Sequence, residues 1–320
     1  MHSELQNTEK ALYLNILKNS TYYKELFDFE RCKEYLTKIS IIKISKALIN
    51  FIQSTKYDKV SRILPIITSP NIDKFEIFDT IKTKIPEARL IYVQSPPDFV
   101  GIFYHVYNCM IEELGIQYLE EISKSIQAQN IKRTRCVNGL INYFLNIQEA
   151  NESILDFENE IRAAENSLEL IQLITKFSNK VIVLYFDDLE LPYEKYGGKA
   201  ESKLLESIKR LHHDANQLVI ILVCSKNSWT KILNLAGESF NSILGPEIEF
   251  YDTSQLRIFV RKAMEEYWIK NSISPPKNPY FPFNEGLIDI FFEKTKGNLR
   301  SFLKICIEII RKIILGEIIE

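Results

Sequence analysis

The sequence predicts an α/β fold, a parallel sheet flanked by helices and followed by an all-α segment of three helices. Three observations predict it. Val181 to Phe186 is an uninterrupted apolar run, rich in β-branched and aromatic residues, that ends in Asp187 and Asp188. So short a run reads as a strand buried on both faces. Comparable runs at Ile63–Ile67, Arg89–Val93 and Leu218–Cys224 alternate with amphipathic stretches, the mark of a sheet covered by helices. Beyond about Thr253 no strand pattern remains.

Residues 1 to about 58 read as helical, most clearly Ile41–Ile52, with the polar stretch Gln53–Asp58 closing the last helix. Pro65 lies inside the first strand and weakens it or marks a bulge, because proline cannot donate to a ladder. Phe75–Ile81 is helical, Arg89–Val93 is the second strand, and helices fill 99 to 180, with Phe99–Leu114 and Ser153–Phe177 the firmest and a polar segment from Gln127 to Arg135 between them. After the acid-tipped strand come a loop with Gly197 and Gly198, a helix over Glu201–Leu211, and the strand Leu218–Cys224. Helices are expected at Ser254–Ile273, Asn284–Lys294 and Asn298–Leu315, the last capped by Asn298 and closed near Gly316. The boundary is placed near Tyr251, giving a core over 1–251 with its N-terminal helices and a helical lid over 252–320.

With 320 residues and 46% apolar content the chain can bury a large core without staples. Forty basic against forty-two acidic residues leave a net charge of -2, which excludes a whole-molecule field for nucleic acid or an anionic membrane. Five scattered cysteines, with no CxxC pair, point to a reducing cytosol and away from a zinc site. Neither a signal peptide nor a membrane span is legible, so a cytoplasmic protein is expected.

Carboxylates at the C-terminal end of a buried parallel strand stand where such sheets place ligands, although the same residues also fit a core strand running into an acidic turn. The order of segments around them resembles the AAA+ ATPases, and among them the Orc-type origin-recognition proteins and related predicted archaeal ATPases. The similar stretches are Phe27–Glu34, like the family's first motif; Asp187-Asp188, at the Walker B position; Ile221–Asn227, like sensor 1; Ser242–Leu256, like the Orc-type passage into the lid; and Thr295–Arg300, like sensor 2. The resemblance implies a nucleotide cleft formed by Lys74, Asp187, Asp188 and Arg300.

The departures bear on function. A phosphate loop of the form G-x-x-x-x-G-K-[ST] needs glycines so that consecutive amides turn inward, a lysine for the phosphates and a hydroxyl for Mg2+. The corresponding window is Thr68–Phe75, in which Lys74 alone survives. Thr68 and Asp73 occupy the glycine positions, Pro70 lacks an amide hydrogen, and Phe75 replaces the hydroxyl. Asp73 would add a like charge, repelling phosphate by roughly 4 kcal/mol at about 4 Å and an effective dielectric near 20. Asp188 is one methylene shorter than the family's usual glutamate, and no Arg or Lys lies between Lys231 and Arg257, where the family supplies its arginine finger.

These features point to a pseudo-ATPase with no catalytic residue, no metal and no cofactor. In it Lys74 pairs with Asp187 or Asp188, or else lies exposed in the first helical turn, and Arg300 ties the lid to the core. An active ATPase with an atypical phosphate loop, taking ATP and Mg2+, is the alternative. The cluster Lys132, Arg133 and Arg135 is the candidate nucleic-acid contact, though such clusters are usually solvated helix ends. The adjacent His212 and His213 fit a helix C-terminus better than a metal site. Orc-type proteins carry a winged-helix domain after the lid, and this sequence ends at Glu320, so that part is expected to be missing. The partner implied is a protein in a hetero-complex, with DNA or RNA reached through the complex and no membrane. The helices at the N-terminus and between 99 and 150 are the expected docking surface, and an initiator-like DNA-binding protein is the third reading.

Overall fold

The computed structural model describes residues 2–68, 72–94, 102–128 and 160–317. Helices α1 (His2–Asn19), α2 (Tyr23–Leu26) and α3 (Phe29–Asp58) precede β1 (Arg62–Thr68), α4 (Lys74–Lys84) and β2 (Ala88–Gln94). Next come α5 (Ile102–Leu114), α6 (Ile116–Ala128), α7 (Glu160–Ser178) and β3 (Val181–Asp187). The chain continues through α8 (Leu191–Tyr196), α9 (Gly198–Asp214), β4 (Leu218–Ser225), α10 (Lys226–Asn241) and β5 (Ile248–Glu249), and closes with α11 (Thr253–Lys270), α12 (Glu285–Lys294) and α13 (Leu299–Leu315). The α/β arrangement read from the sequence is the one found. Among the described residues no helix is long and apolar enough to cross a membrane.

By its internal contacts the chain divides into two units. Among the described residues, one joins 2–43 with 249–317, and the other holds 44–68 with those between 72 and 248. The boundary between the units falls within α3, whose residues from Ile44 onward group with the sheet.

The larger unit is built on a parallel sheet in the order β2-β3-β4-β1-β5. One face packs Ile67, Val93, Leu184, Phe186 and Leu222 against α5, α7, α9 and α10 in a single apolar cluster. On the opposite face Phe78 of α4 meets Tyr92 and Tyr185, with ring centroids 5.2 and 5.4 Å away. β3 is buried at every position, as an apolar run without alternation requires.

Pro65 does not interrupt β1, which pairs with β4 in unbroken register from Arg62 to Thr68. The reason is the side its missing donor faces. Ile63 turns its carbonyl toward the β5 edge, where it accepts from the Gly245 amide at 2.8 Å. Two residues on, Pro65 faces the same edge, and β5 is only two residues long. Gly245 itself must be glycine, since a Cβ there would lie 2.6 Å from the Phe51 ring and 2.8 Å from the Ile63 oxygen.

One helix end and one whole helix differ from the sequence reading. α3 runs on through Gln53–Asp58 because its last turns are anchored: Thr55 is buried, and Arg62 donates to its hydroxyl at 3.1 Å and pairs with Asp58. The α10 helix was not read from the sequence at all, although Ser225 caps it by accepting from the Ser228 amide at 3.3 Å. Gly237, at φ 73°, breaks its regular geometry and with it the apolar period.

The smaller unit is helical. Tyr13 packs on Trp268 at 5.1 Å between ring centroids, and Phe27 sits between Phe259 and Phe283 at 6.1 Å from each. Asp252 and Gln255 close a reciprocal capping box at the start of α11. Asn298 caps α13 by accepting from the Ser301 amide at 3.0 Å, and Gly316 ends it at φ 74°, as the sequence predicts.

Candidate functional site

The C-terminal ends of β1, β4 and β3 lie side by side, with Thr68 opposite Ser225 and Phe186 opposite Leu222. Because β4 stands between the other two, residues after β1 and after β3 are separated by about two strand spacings, roughly 10 Å. A lysine side chain is long enough to bridge most of that gap, and Lys74 does so. Its ammonium lies 2.7 Å from Asp188 Oδ1, 3.2 Å from Asp187 Oδ1 and 3.6 Å from Glu190 Oε1. The side chains of Lys74 and Asp187 are 15% and 6% exposed, so this is an interior cluster and not a surface pair.

Asp187 and the Lys74 backbone are also held by tyrosines outside the cluster. Tyr92 donates its hydroxyl to Asp187 Oδ2 at 2.5 Å, and the Asp188 amide donates to Asp187 Oδ1 at 2.7 Å. Tyr185 donates to the Lys74 carbonyl at 2.9 Å. Asp188 adopts φ 51°, a left-handed conformation that non-glycine residues resist at a cost of order 1–3 kcal/mol. Burial alone would lower the Lys74 pKa, but the hydrogen bond to Asp188 and the charges of Asp187, Glu190 and Asp188 outweigh it and hold the ammonium well above its ordinary value. Burial, and then the bond to Asp187, push the Tyr92 phenol far up, so it stays a donor.

The first turn of α4 is occupied in the same manner. A helix N-terminus presents unpaired amides that suit an anion. Here Asp73 Oδ1 accepts from the amides of Phe75 and Glu76 at 3.0 and 3.1 Å, so a carboxylate of the chain itself fills the position. Thr68 donates its hydroxyl to the Cys224 carbonyl at 3.1 Å. The Phe75 ring stands edge-on to Tyr92 at 5.2 Å, offering a metal no oxygen. Ser225, in the sensor-like position, caps α10.

Of the residues named from the sequence, the structure brings Lys74, Asp187 and Asp188 together. Arg300 belongs to the helical unit, where its guanidinium lies 4.4 Å over the Phe29 ring. Lys132, Arg133 and Arg135 lie outside the described residues. His212 and His213 occupy the last turn of α9. Among the described residues no three His, Cys, Asp or Glu side chains gather as a metal would require. Sequence reasoning missed Glu190 and Tyr92. Glu190 follows the acids by a turn, a signal that was there to use. Tyr92 is identified only by the register that sets it beside Tyr185, two residues before Asp187 on the same face.

No family model matches the chain, and no curated protein matches it. Among solved structures it is similar to a chain in a structure of Drosophila ORC bound to AT-rich DNA and Cdc6, at 10% identity and a TM-score of 0.42, over 76% of this chain and 34% of that one. A chain in a structure of Drosophila ORC bound to poly(dA/dT) DNA and Cdc6 matches at 9% identity and 0.43, over 85% and 40%. The ADP form of the Aeropyrum pernix ORC2 protein matches at 11% identity and 0.38, over 91% and 72%. This chain thus spans only 34% and 40% of the two Drosophila chains.

Proposed function

We propose that this chain is a non-hydrolysing AAA+-like protein of Orc-type ancestry that binds a partner protein within a nucleic-acid-handling complex, in replication or antiviral defence. The observation that carries the reading is that the chain supplies its own substitutes for both halves of a bound nucleotide. The Asp73 carboxylate takes the α4 amides that phosphate would need. The Lys74 ammonium sits among Asp187, Asp188 and Glu190, where a bound metal's positive charge would otherwise be required. A triphosphate entering this cleft would have to displace an internal carboxylate from two amides and accept its repulsion.

The ordered motifs along the sequence supply the family, and the setting follows from the family alone. No step of catalysis is assigned. The carboxylate that would have to orient a water, Asp188, is committed to Lys74 at 2.7 Å. The mechanism is that of a scaffold: an ion cluster closed on itself holds the edge of the sheet in one shape, and a partner recognises that shape.

Calorimetry with Mg2+ and ATP tests the first half. Binding should stay weaker than a Kd of about 1 mM, equivalent to roughly -4 kcal/mol. Micromolar binding that Lys74→Ala abolishes would overturn the reading in favour of an ATPase. Purification from the native source tests the second half, where a stoichiometric protein companion is expected and a free monomer counts against it. Binding of DNA by the isolated chain, steeply dependent on salt, would favour the initiator-like reading instead.

A further inference from the structure

The short helix α8 is anchored lightly. Of its six residues only Pro192 is buried, and Tyr193 to Tyr196 are all exposed. A helix of that length has no stability of its own. Within it the Glu194 amide donates to the Glu190 carbonyl at 3.0 Å and the Gly197 amide to the Tyr193 carbonyl at 2.9 Å, while Pro192 has no amide hydrogen to give. The segment is bounded by two residues of positive φ, Asp188 at 51° and Gly197 at 80°, the second followed by another glycine, Gly198. Lightly packed, with a break in regular backbone at each end, it has the build of a hinged strap.

Two side chains hold the strap down. Glu190, just before its first residue, reaches toward Lys74, with Oε1 3.6 Å from the ammonium. Glu201, in the first turn of α9, accepts from the Tyr193 amide through Oε2 at 3.2 Å, and so caps α8 from another helix. This glutamate is fully buried, and its Oε1 has no hydrogen-bond partner. The charge that acts on it is that of Glu190, a like charge. A buried carboxylate with one hydrogen bond and a like charge beside it is costly, and a protonated carboxyl much less so.

We propose that the proton on Glu201 keeps α8 closed, and that its loss frees the strap to lift between Asp188 and Gly197, carrying Glu190 away from Lys74. Lifting lets water reach the Glu201 carboxylate, which relieves both its burial and its repulsion by Glu190. Burial pushes the Glu201 carboxyl up, the Tyr193 amide opposes this, and the Glu190 charge adds to it, moving the group from 4.5 to about 7. The closed strap therefore has its full advantage below pH 4.5 and loses it as pH rises through 7. The other titratable groups around Glu201 are Tyr193 and Glu194 on α8, Lys231 on α10, whose ammonium lies 5.7 Å from the Tyr193 ring centroid, and the Cys224 thiol on β4, which burial keeps neutral.

Hydrogen exchange of the full chain, read by mass spectrometry on peptides covering residues 189–201 at pH 6 and pH 8, tests this. The amides of Leu191, Tyr193, Glu194 and Gly197 are hydrogen-bonded in the closed strap and report its opening. After division by the intrinsic exchange rate at each pH, opening should rise about tenfold from pH 6 to pH 8, while peptides from β3 and β4 stay as they were. Glu201→Gln keeps the shape of the side chain and cannot ionise, so its corrected opening should be the same at both pH values. The proposal is overturned if the corrected opening of the unaltered chain does not change with pH, if Glu201→Gln keeps the rise, or if β3 and β4 open along with the strap, which marks unfolding of the whole unit.

Discussion

Replacing Lys74 by methionine, one heavy atom shorter, keeps most of the apolar stem of the side chain and removes the charge. What remains is Asp187 at 6% exposure, Glu190 at 17% and Asp188 at 39%, three carboxylates with no cation among them. Removing one partner of a buried ion pair costs about 3–5 kcal/mol. Asp188 is partly solvated and Asp187 keeps the Tyr92 hydroxyl, so the lower end, about 3 kcal/mol, applies. The chain has two tryptophans, Trp229 in the sheet unit and Trp268 in the helical unit. In a Trp268→Phe background the fluorescence of Trp229 therefore follows the sheet unit alone through urea unfolding. Asp188→Asn added to Lys74→Met should recover part of the deficit at pH 7. A deficit below about 0.5 kcal/mol, the range of ordinary surface substitutions, or one that Asp188→Asn does not reduce, would refute the interior cluster and leave Lys74 an ordinary residue of the first helical turn.

Asp73→Ala removes the α4 cap and should cost about 1 kcal/mol in the same unfolding assay, within the usual range for capping residues. Tyr92→Phe deletes a hydrogen bond to a carboxylate and should cost about 1.5–3 kcal/mol, with no change in the far-ultraviolet circular dichroism. Glu201 is raised from 4.5 to about 7 in the fold, so its contribution is fully present below pH 4.5 and is lost as pH rises to 7. A span of 2.5 units corresponds to about 3 kcal/mol. Glu201→Gln should remove that part of the pH slope and be the more stable protein at pH 7, which unfolding curves at pH 5, 6, 7 and 8 would measure.

Much of the sheet could be read in advance because its strands are buried on both faces and so carry no polar interruptions; β3 was identified from its apolar run alone. Pro65 was misleading because proline's effect depends on which neighbour its nitrogen faces, and that is a property of sheet order. The grouping of α1 with the C-terminal helices rests on contacts such as Tyr13 with Trp268, between residues too far apart in sequence for any local period to reveal. In the site, Lys74, Asp187 and Asp188 could be named because their residue types and order match a motif. Asp73 was read as a repulsive charge when its geometric role is that of a cap, which shows only when its carboxylate meets the amides of Phe75 and Glu76. Glu201 was invisible, since nothing in an amphipathic helix distinguishes a glutamate facing water from one turned inward.

The lysine at the sheet edge has a wider consequence. A fold that must borrow a dissolved ligand to neutralise its own acids gains or loses stability with the ligand's concentration. Here the neutralising group is covalently attached and always present at full occupancy. The charge balance at this sheet edge therefore does not vary with the concentration of any dissolved metal cation.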